Sequence, residues 1–303
     1  MDTATVQSEF LQQLFAHRLL IPSGVDGLYG RGTWFERVVE GIDAAVQRIG
    51  APDNAEALHF PPVVTQHNYQ LSEHFKSFPD LVGVVRGFRG KDKDHLALVE
   101  KMERGEDWAA NFGPTGVIMT PAACYPIYPT LKGTIPPEGK RVTVLSYCFR
   151  YEPSLDPARL QMFRQREHVR IGTPDDVREF AATWKARGEQ LFKELSLDSW
   201  SDVANDPFFG RVGKMLAANQ RDQGLKFELL VPITSREKPT ACCSFNYHQD
   251  HFGHLFEIKL PTGEWAHTAC VGFGLERTTL ALFKTHGFDV EKWPATVRER
   301  LKL

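Results

Sequence analysis

Residues 141–171 read RVTVLSYCFRYEPSLDPARLQMFRQREHVRI, and this stretch decides the architecture. From Arg141 to Glu152 apolar and polar side chains alternate, the period of a strand with one buried face. PSLDPA at 153–158 follows, with two prolines and an aspartate, all turn formers. Gln165 to Ile171 then offers an antiparallel partner, so the stretch reads as two strands joined by a loop.

Working outward, WFERVVEGIDAAVQR (34–48) has helical spacing and is ended by Gly50-Ala51-Pro52. ALHFPPVV (57–64) is strand-like, pushed to an edge or interface by Pro61 and Pro62. LKGTIPPEGK (131–140) reads as a surface turn. DDVREFAATWKARGEQLFKEL (175–195) is the clearest amphipathic helix, and KFELLVPI (226–233) and TACCSFNYHQD (240–250) read as strands. VGFGLERTTLALFKTHG (271–287) opens with glycines and continues as a helix closed by Gly287. Helices alternate irregularly with strand pairs, without a β-α-β rhythm. The expected class is therefore α+β, a mostly antiparallel sheet flanked by helices, in one domain over residues 1–303.

Composition narrows the function. A chain of 303 residues with 42% apolar side chains can bury a large core. Lys and Arg total 36 against 38 Asp and Glu, which argues against a surface built to hold nucleic acid by its phosphates. The N-terminal MDTATVQSEFLQQLF lacks the basic-then-apolar order of a signal peptide. Apolar runs such as FELLVPI fall far short of the roughly 20 residues that span a bilayer. Five cysteines are an odd number and do not suggest a disulfide framework. The expected setting is the cytoplasm, without a membrane partner. No GxxxxGK[ST] loop, HExxH helix or GxSxG elbow occurs, and Arg277 stands where a dinucleotide fingerprint needs its third glycine.

The paired strands carry chemistry. Phe149-Arg150-Tyr151-Glu152 and Arg159 to Glu167 hold arginine forks that grip phosphate, a glutamate that accepts from an amine and a ring that stacks on a base. A charged hairpin with exposed ion pairs fits the spacing equally well.

These residues resemble a family. Phe149-Arg150-x-Glu152, a loop, then Phe163-x-x-x-Glu167 is similar to motif 2 of class II aminoacyl-tRNA synthetases, and Gly272-Phe273-Gly274-Leu275-Glu276-Arg277 to their motif 3. The stretch from Gly30 to Pro62 is similar to motif 1, the element through which these enzymes form homodimers. DVANDPFFG (202–210), KFELLVPI and HTACVGFGLER (267–277) look most like a seryl-tRNA synthetase core. TPAACYPIYP, CFRYEPSLDP, FFGR and CSFNYHQDHFG extend the likeness to the amino acid:[carrier protein] ligases, which resemble the methanogen-type seryl core without its tRNA-binding extension.

The resemblance implies activation of a small amino acid, glycine or alanine, by ATP, and transfer to the phosphopantetheine thiol of a carrier protein. A minimal seryl-tRNA synthetase is the alternative. It implies zinc held by Cys124, Glu167 and Cys270, with a fourth place open for the substrate amine. Without that context each cysteine reads as a small buried hydrophobe, and Glu167 as an ion-pair partner. Cys148, Cys242 and Cys243 keep that plainer reading. Arg150 is implied as the catalytic α-phosphate ligand, and Glu152 as the adenine-amine acceptor. Phe163 is implied as the stacking ring, and Arg277 as the catalytic cap reaching the γ-phosphate. Arg159, Leu160, Lys226 and the strand Ala241-Cys242-Cys243-Ser244 complete the implied ATP and Mg2+ site. Thr240 stands where the seryl enzymes place a magnesium-binding glutamate. Glu228 and Asn246 are substitutes that equally read as a strand edge and a turn. His248 and His251, three apart, are expected to be hydrogen-bonded structural histidines. No tRNA is expected. Arg211, Lys214 and Arg221 either steer an acidic carrier protein or are idle surface charges.

Overall fold

The computed structural model describes residues 3–204 and 224–303. Its centre is a seven-stranded sheet in the spatial order Trp200–Val203, Lys226–Val231, Thr240–Gln249, His267–Gly274, Met162–Gly172, Lys140–Phe149 and Glu56–Leu58. Every neighbouring pair is antiparallel except the last, where Glu56–Leu58 runs parallel to Lys140–Phe149. The alternation of residues 141–149 appears as alternating burial along Lys140–Phe149. Its partner is buried continuously from Arg166 to Gly172, because helices cover one face and loops the other.

Three helices cover the rear face: Thr33–Gly50, Pro174–Glu194 and Leu275–His286. The second begins with a capping box: Thr173 accepts from the Asp176 N–H while Asp176 accepts from the Thr173 N–H, and Pro174 fills the first turn. Trp184, Phe192, Phe245, Val271 and Phe273 join helices and sheet in one apolar cluster. On the front face Cys124, Tyr128, Val142, Val169, Phe252 and Cys270 form a second.

Two expectations change. The run 57–64 is two strands in different sheets: Glu56–Leu58 joins the main sheet, whereas Val63–Thr65 pairs with Phe112–Met119. Pro61 and Pro62, which have no N–H for a ladder, separate them. The 131–140 segment is more than a surface turn. Gly133–Thr134 pairs in parallel with Ile258–Lys259, and Ile135 enters the front apolar cluster. Phe208, Phe209, Gly210, Arg211, Lys214 and Arg221 lie outside the described residues.

Candidate active site

Strand register decides which side chains share the front face, because paired residues point the same way and alternate along each strand. On Met162–Gly172 these are Phe163, Gln165, Glu167 and Val169. Glu167 pairs with Gly272, Gln165 with Gly274 and Val169 with Cys270. Beyond them Cys270 pairs with Asn246 and Gly272 with Ser244, and those two pair with Lys226 and Glu228. On the other flank Cys148 lies beside Phe163 and Ser146 beside Gln165. Motif glycines therefore leave the middle of the face open. A Cβ on Gly272 would already stand 3.5 Å from Glu167 Cγ.

At one end of this face the ligand atoms of Cys124, Glu167 and Cys270 lie within 4.8 Å of one another, all buried. The Ala123 N–H donates to Glu167 Oε1 at 3.2 Å, and Glu167 Oε2 has no hydrogen-bond partner among the described residues. Burial, reinforced by Cys270, pushes the Glu167 carboxyl up to about 8. Contact with Cys270 and burial hold the Cys124 thiol well above its usual range, while the same contact brings Cys270 down. Three acids that repel one another, one with an orphaned buried oxygen, fit a divalent cation. Two thiolates and a carboxylate are a zinc donor set with a fourth position to spare. Asn246 Nδ2 donates to Cys270 Sγ at 3.5 Å, and His248 Nε2 lies 3.7 Å from the same sulfur. His248 Nδ1 meets Thr268 Oγ1 at 3.0 Å, so that ring is held by hydrogen bonds as expected. Its contact with the sulfur, and that of Asn246, were not foreseen, since only pairing across strands reveals them.

At the other end sit the arginines. Arg150 donates to the Pro121 carbonyl at 3.2 Å, and its guanidinium lies 5.3 Å from the centre of the Phe163 ring. Arg277 donates to the carbonyls of Ala158 and Ala241 at 2.9 and 3.1 Å. Burial lowers the pKa of Arg277, and the positive charges of Arg150 and Arg159 push it the same way. Such a concentration of cationic forks favours a polyphosphate. Glu152 and Arg159 pair with each other at 2.8 Å in an exposed ion pair. Such a pair is worth only about 0–1 kcal/mol. Leu160 is buried.

With this geometry in view, the likeness to known proteins has a definite meaning. No protein-family model matches the chain. The amino acid–[acyl-carrier-protein] ligase 1 of Bradyrhizobium diazoefficiens is 45% identical over 304 residues, covering 100% of this chain and 93% of its own. The chain belongs to the amino acid–[acyl-carrier-protein] ligases. Ligase 2 of the same organism is 46% identical over 290 residues, covering 95% of this chain and 86% of its own. In fold the ligase matches the M. kandleri SerRS, solved in complex with A. aeolicus tRNASec. The TM-score is 0.84 at 21% identity, over 97% of this chain and 60% of that one. The class II synthetase fold follows, with the mostly antiparallel sheet expected from the sequence. Among the described residues no helix is long and apolar enough to cross a membrane.

The plainer reading of two cysteines matches their surroundings. Cys242 and Cys243 are buried in the rear apolar cluster, and burial raises both thiols. That strand meets Arg277 through the Ala241 carbonyl, and Cys242 lies within electrostatic reach of the same guanidinium. Glu228 pairs with Lys226 at 3.1 Å directly across from Ser244, whereas Thr240 pairs with Val231 at the strand's far end. The Asn246 amide is turned toward Cys270 and Ser244.

Behind the sheet the alternate residues form closed ion pairs. Arg164 binds Glu36 through both Nη atoms at 2.7 and 2.8 Å, and Glu276 through Nε at 2.8 Å. The Arg164 N–H donates to Glu276 Oε2 at 2.6 Å, while Arg31 lies 3.3 Å from Glu276 Oε1. Arg166 grips Asp43 at 2.6 and 2.9 Å. These contacts tie motif 2 to motif 3 and to the Thr33–Gly50 helix.

Proposed function

We propose that the ligase uses ATP to convert glycine or alanine to the aminoacyl-adenylate and passes the acyl group to the phosphopantetheine thiol of a carrier protein. The observation that carries this is the convergence, on one sheet face, of the arginine group with the buried Cys124–Glu167–Cys270 cluster. The names of the two Bradyrhizobium relatives support the acyl acceptor.

In the first step the amino acid carboxylate attacks the α-phosphorus, the bond to the β-phosphate oxygen breaks and pyrophosphate leaves. Arg150 neutralises charge on the α-phosphate as it builds, and Arg277 holds the adenine and γ-phosphate. Phe163 stacks on the base, and Glu152, released from Arg159, accepts from its amine. Lys226 lies along the phosphates, and Glu228 with Ser244 offers oxygen donors for the magnesium that accompanies ATP. Cys124, Glu167 and Cys270 would hold zinc, which would supply a Lewis acid for a free α-amine. Tyr128, stacked on Phe252 at 4.3 Å beside this cluster, supports a small side chain. In the second step the thiol loses its proton and attacks the acyl carbon, and AMP leaves. The Thr33–Gly50 helix with Glu56–Leu58 forms the homodimer contact, and Arg211, Lys214 and Arg221 meet the acidic carrier.

The test is pyrophosphate exchange across a panel of amino acids, followed by mass spectrometry of carrier protein with and without its phosphopantetheine arm. Glycine or alanine supports exchange, and only the armed carrier gains the acyl mass. Equal labelling of both carriers refutes the thiol acceptor. Serine as the best substrate, with charging of tRNA, replaces this reading with the seryl-tRNA synthetase one.

A further inference from the structure

The strand Thr240–Gln249 departs from regular pairing near its end. Tyr247 faces Ala269 and Gln249 faces Thr268, so His248 is an extra residue between two consecutive partners. Gln249 closes this bulge in the left-handed region, at φ 54°. Bulges re-aim a side chain, and a residue other than glycine holds such a φ only where its surroundings fix it.

The re-aimed ring reaches the Cys124–Glu167–Cys270 cluster. His248 Nε2 lies 3.7 Å from Cys270 Sγ, and Nδ1 lies 3.0 Å from the hydroxyl of the fully buried Thr268. The ring also meets Phe252 edge-on, with centroids 4.8 Å apart. Asn246, two residues earlier on the strand, donates to the same sulfur at 3.5 Å. Cys270 therefore has two nitrogen neighbours at hydrogen-bond distance besides the other two residues of the cluster.

We propose that His248 is a positioning residue for the metal, donating Nε2–H to the Cys270 thiolate and so holding that sulfur as a zinc ligand. This inference rests on reading the cluster as a zinc site. Two thiolates and a carboxylate bring three negative charges to a dication, and the surplus is buried. A hydrogen bond from a neutral ring spreads that charge without adding a competing cation. A metal-bound thiolate can only accept, so the ring proton sits on Nε2 and Nδ1 accepts from the Thr268 hydroxyl. Thr268 thus fixes the tautomer, the bulge fixes the aim and Asn246 supplies a second donor. Partners of this kind orient a ligand and tune the electron density it gives the metal.

Two variants separate a hydrogen bond from bulk. His248→Gln keeps an N–H near the Nε2 position, and His248→Leu fills the space without one. Each protein is stripped of metal, and zinc affinity is measured by competition with a chromophoric chelator. The sulfur-to-metal charge-transfer band is recorded after reconstitution with cobalt(II). His248→Leu loses about 10- to 100-fold in zinc affinity, whereas His248→Gln stays within about threefold of wild type. The band of His248→Leu moves to lower energy, because sulfur electrons are held less tightly without the donor, and that of His248→Gln stays in place. Wild-type affinity with an unmoved band in His248→Leu overturns the assignment, and so do equal changes in both variants. Long-range proton–nitrogen NMR spectra of zinc-loaded wild type keep the test open if His248→Leu fails to fold. They place the ring proton of His248 on Nε2, and a proton on Nδ1 overturns the proposal. Wild type that binds neither zinc nor cobalt(II) overturns the zinc reading, and this proposal with it.

Discussion

The two faces of the central sheet use the same residue types in opposite ways. On the rear face Arg164, Arg166 and Arg170 each meet a carboxylate: Glu36 and Glu276, Asp43, and Asp176. On the front face Arg150 and Arg277 donate, among the described residues, only to carbonyls, and Glu167 has an oxygen with no partner there. Rear charges are neutralised within the chain and hold elements together. Beside the front pairs Lys226–Glu228 and Glu152–Arg159, the charges of Arg150, Arg277 and Glu167 are left for something the described residues do not supply. A single strand, Met162–Gly172, carries both sets at alternate positions, so the contrast is one of pairing rather than composition.

The largest effect that tests this contrast is on the front. Arg150→Ala removes a donor to developing charge, and pyrophosphate exchange falls about 10²–10³-fold. Thermal unfolding moves little, since among the described contacts one carbonyl bond and the approach to the Phe163 ring are lost. Front and rear would cease to differ if unfolding fell as steeply as activity.

Next comes the rear. Arg164→Met takes its guanidinium from Glu36 and from the fully buried Glu276, which keeps the backbone N–H of residue 164 and Arg31. With those partners left, the cost falls at or below the lower end of the about 3–5 kcal/mol for breaking a buried pair, read as a lower denaturant midpoint. Turnover per folded site stays close to wild type. A stable variant without turnover would show that the rear network acts in catalysis.

A smaller effect appears on the acid side. Burial raises the Asp176 carboxyl, but hydrogen bonds from Thr173 and the charge of Arg170 outweigh it and hold the carboxyl below its usual 3.8. As pH falls, the unfolded chain takes up that proton first. The stabilisation is therefore complete above about pH 4 and is lost below it. Because Asp176 is partly exposed, the acid-dependent part is under about 1 kcal/mol. Asp176→Asn flattens the pH 4 to 2.5 portion of the stability curve, and an unchanged curve would remove Asp176 from the rear network. Smallest of all is Glu152→Gln, in an exposed pair. Stability changes by less than about 1 kcal/mol, while the KM for ATP rises and the KM for the amino acid does not.

Much of the frame is legible in the sequence, for identifiable reasons. The alternation of 141–152 marks the first strand of the pair, and period two from Phe163 to Glu167 places both on one face of the second. Gly272 and Gly274 mark where that face stays open. Cys124, Glu167 and Cys270 come from three segments that no spacing rule connects, and only the family resemblance joins them. The closed pairs of Arg164 and Arg166 are invisible, because their partners Glu36 and Asp43 lie over 120 residues away. The contact of His248 with Cys270 is missed for another reason. It depends on a bulge in Thr240–Gln249, which period two does not foretell. The split of 57–64 depends on which sheet each half can reach, which propensity does not encode.

The most direct test joins metal content to activity. The purified ligase is assayed for zinc by mass spectrometry and for glycine- or alanine-dependent pyrophosphate exchange, before and after chelation and after zinc is restored. The account predicts one zinc per chain, loss of exchange with the metal and its return with zinc, and neither metal nor exchange in Cys270→Ala. Full amino-acid-dependent exchange in metal-free protein would contradict it.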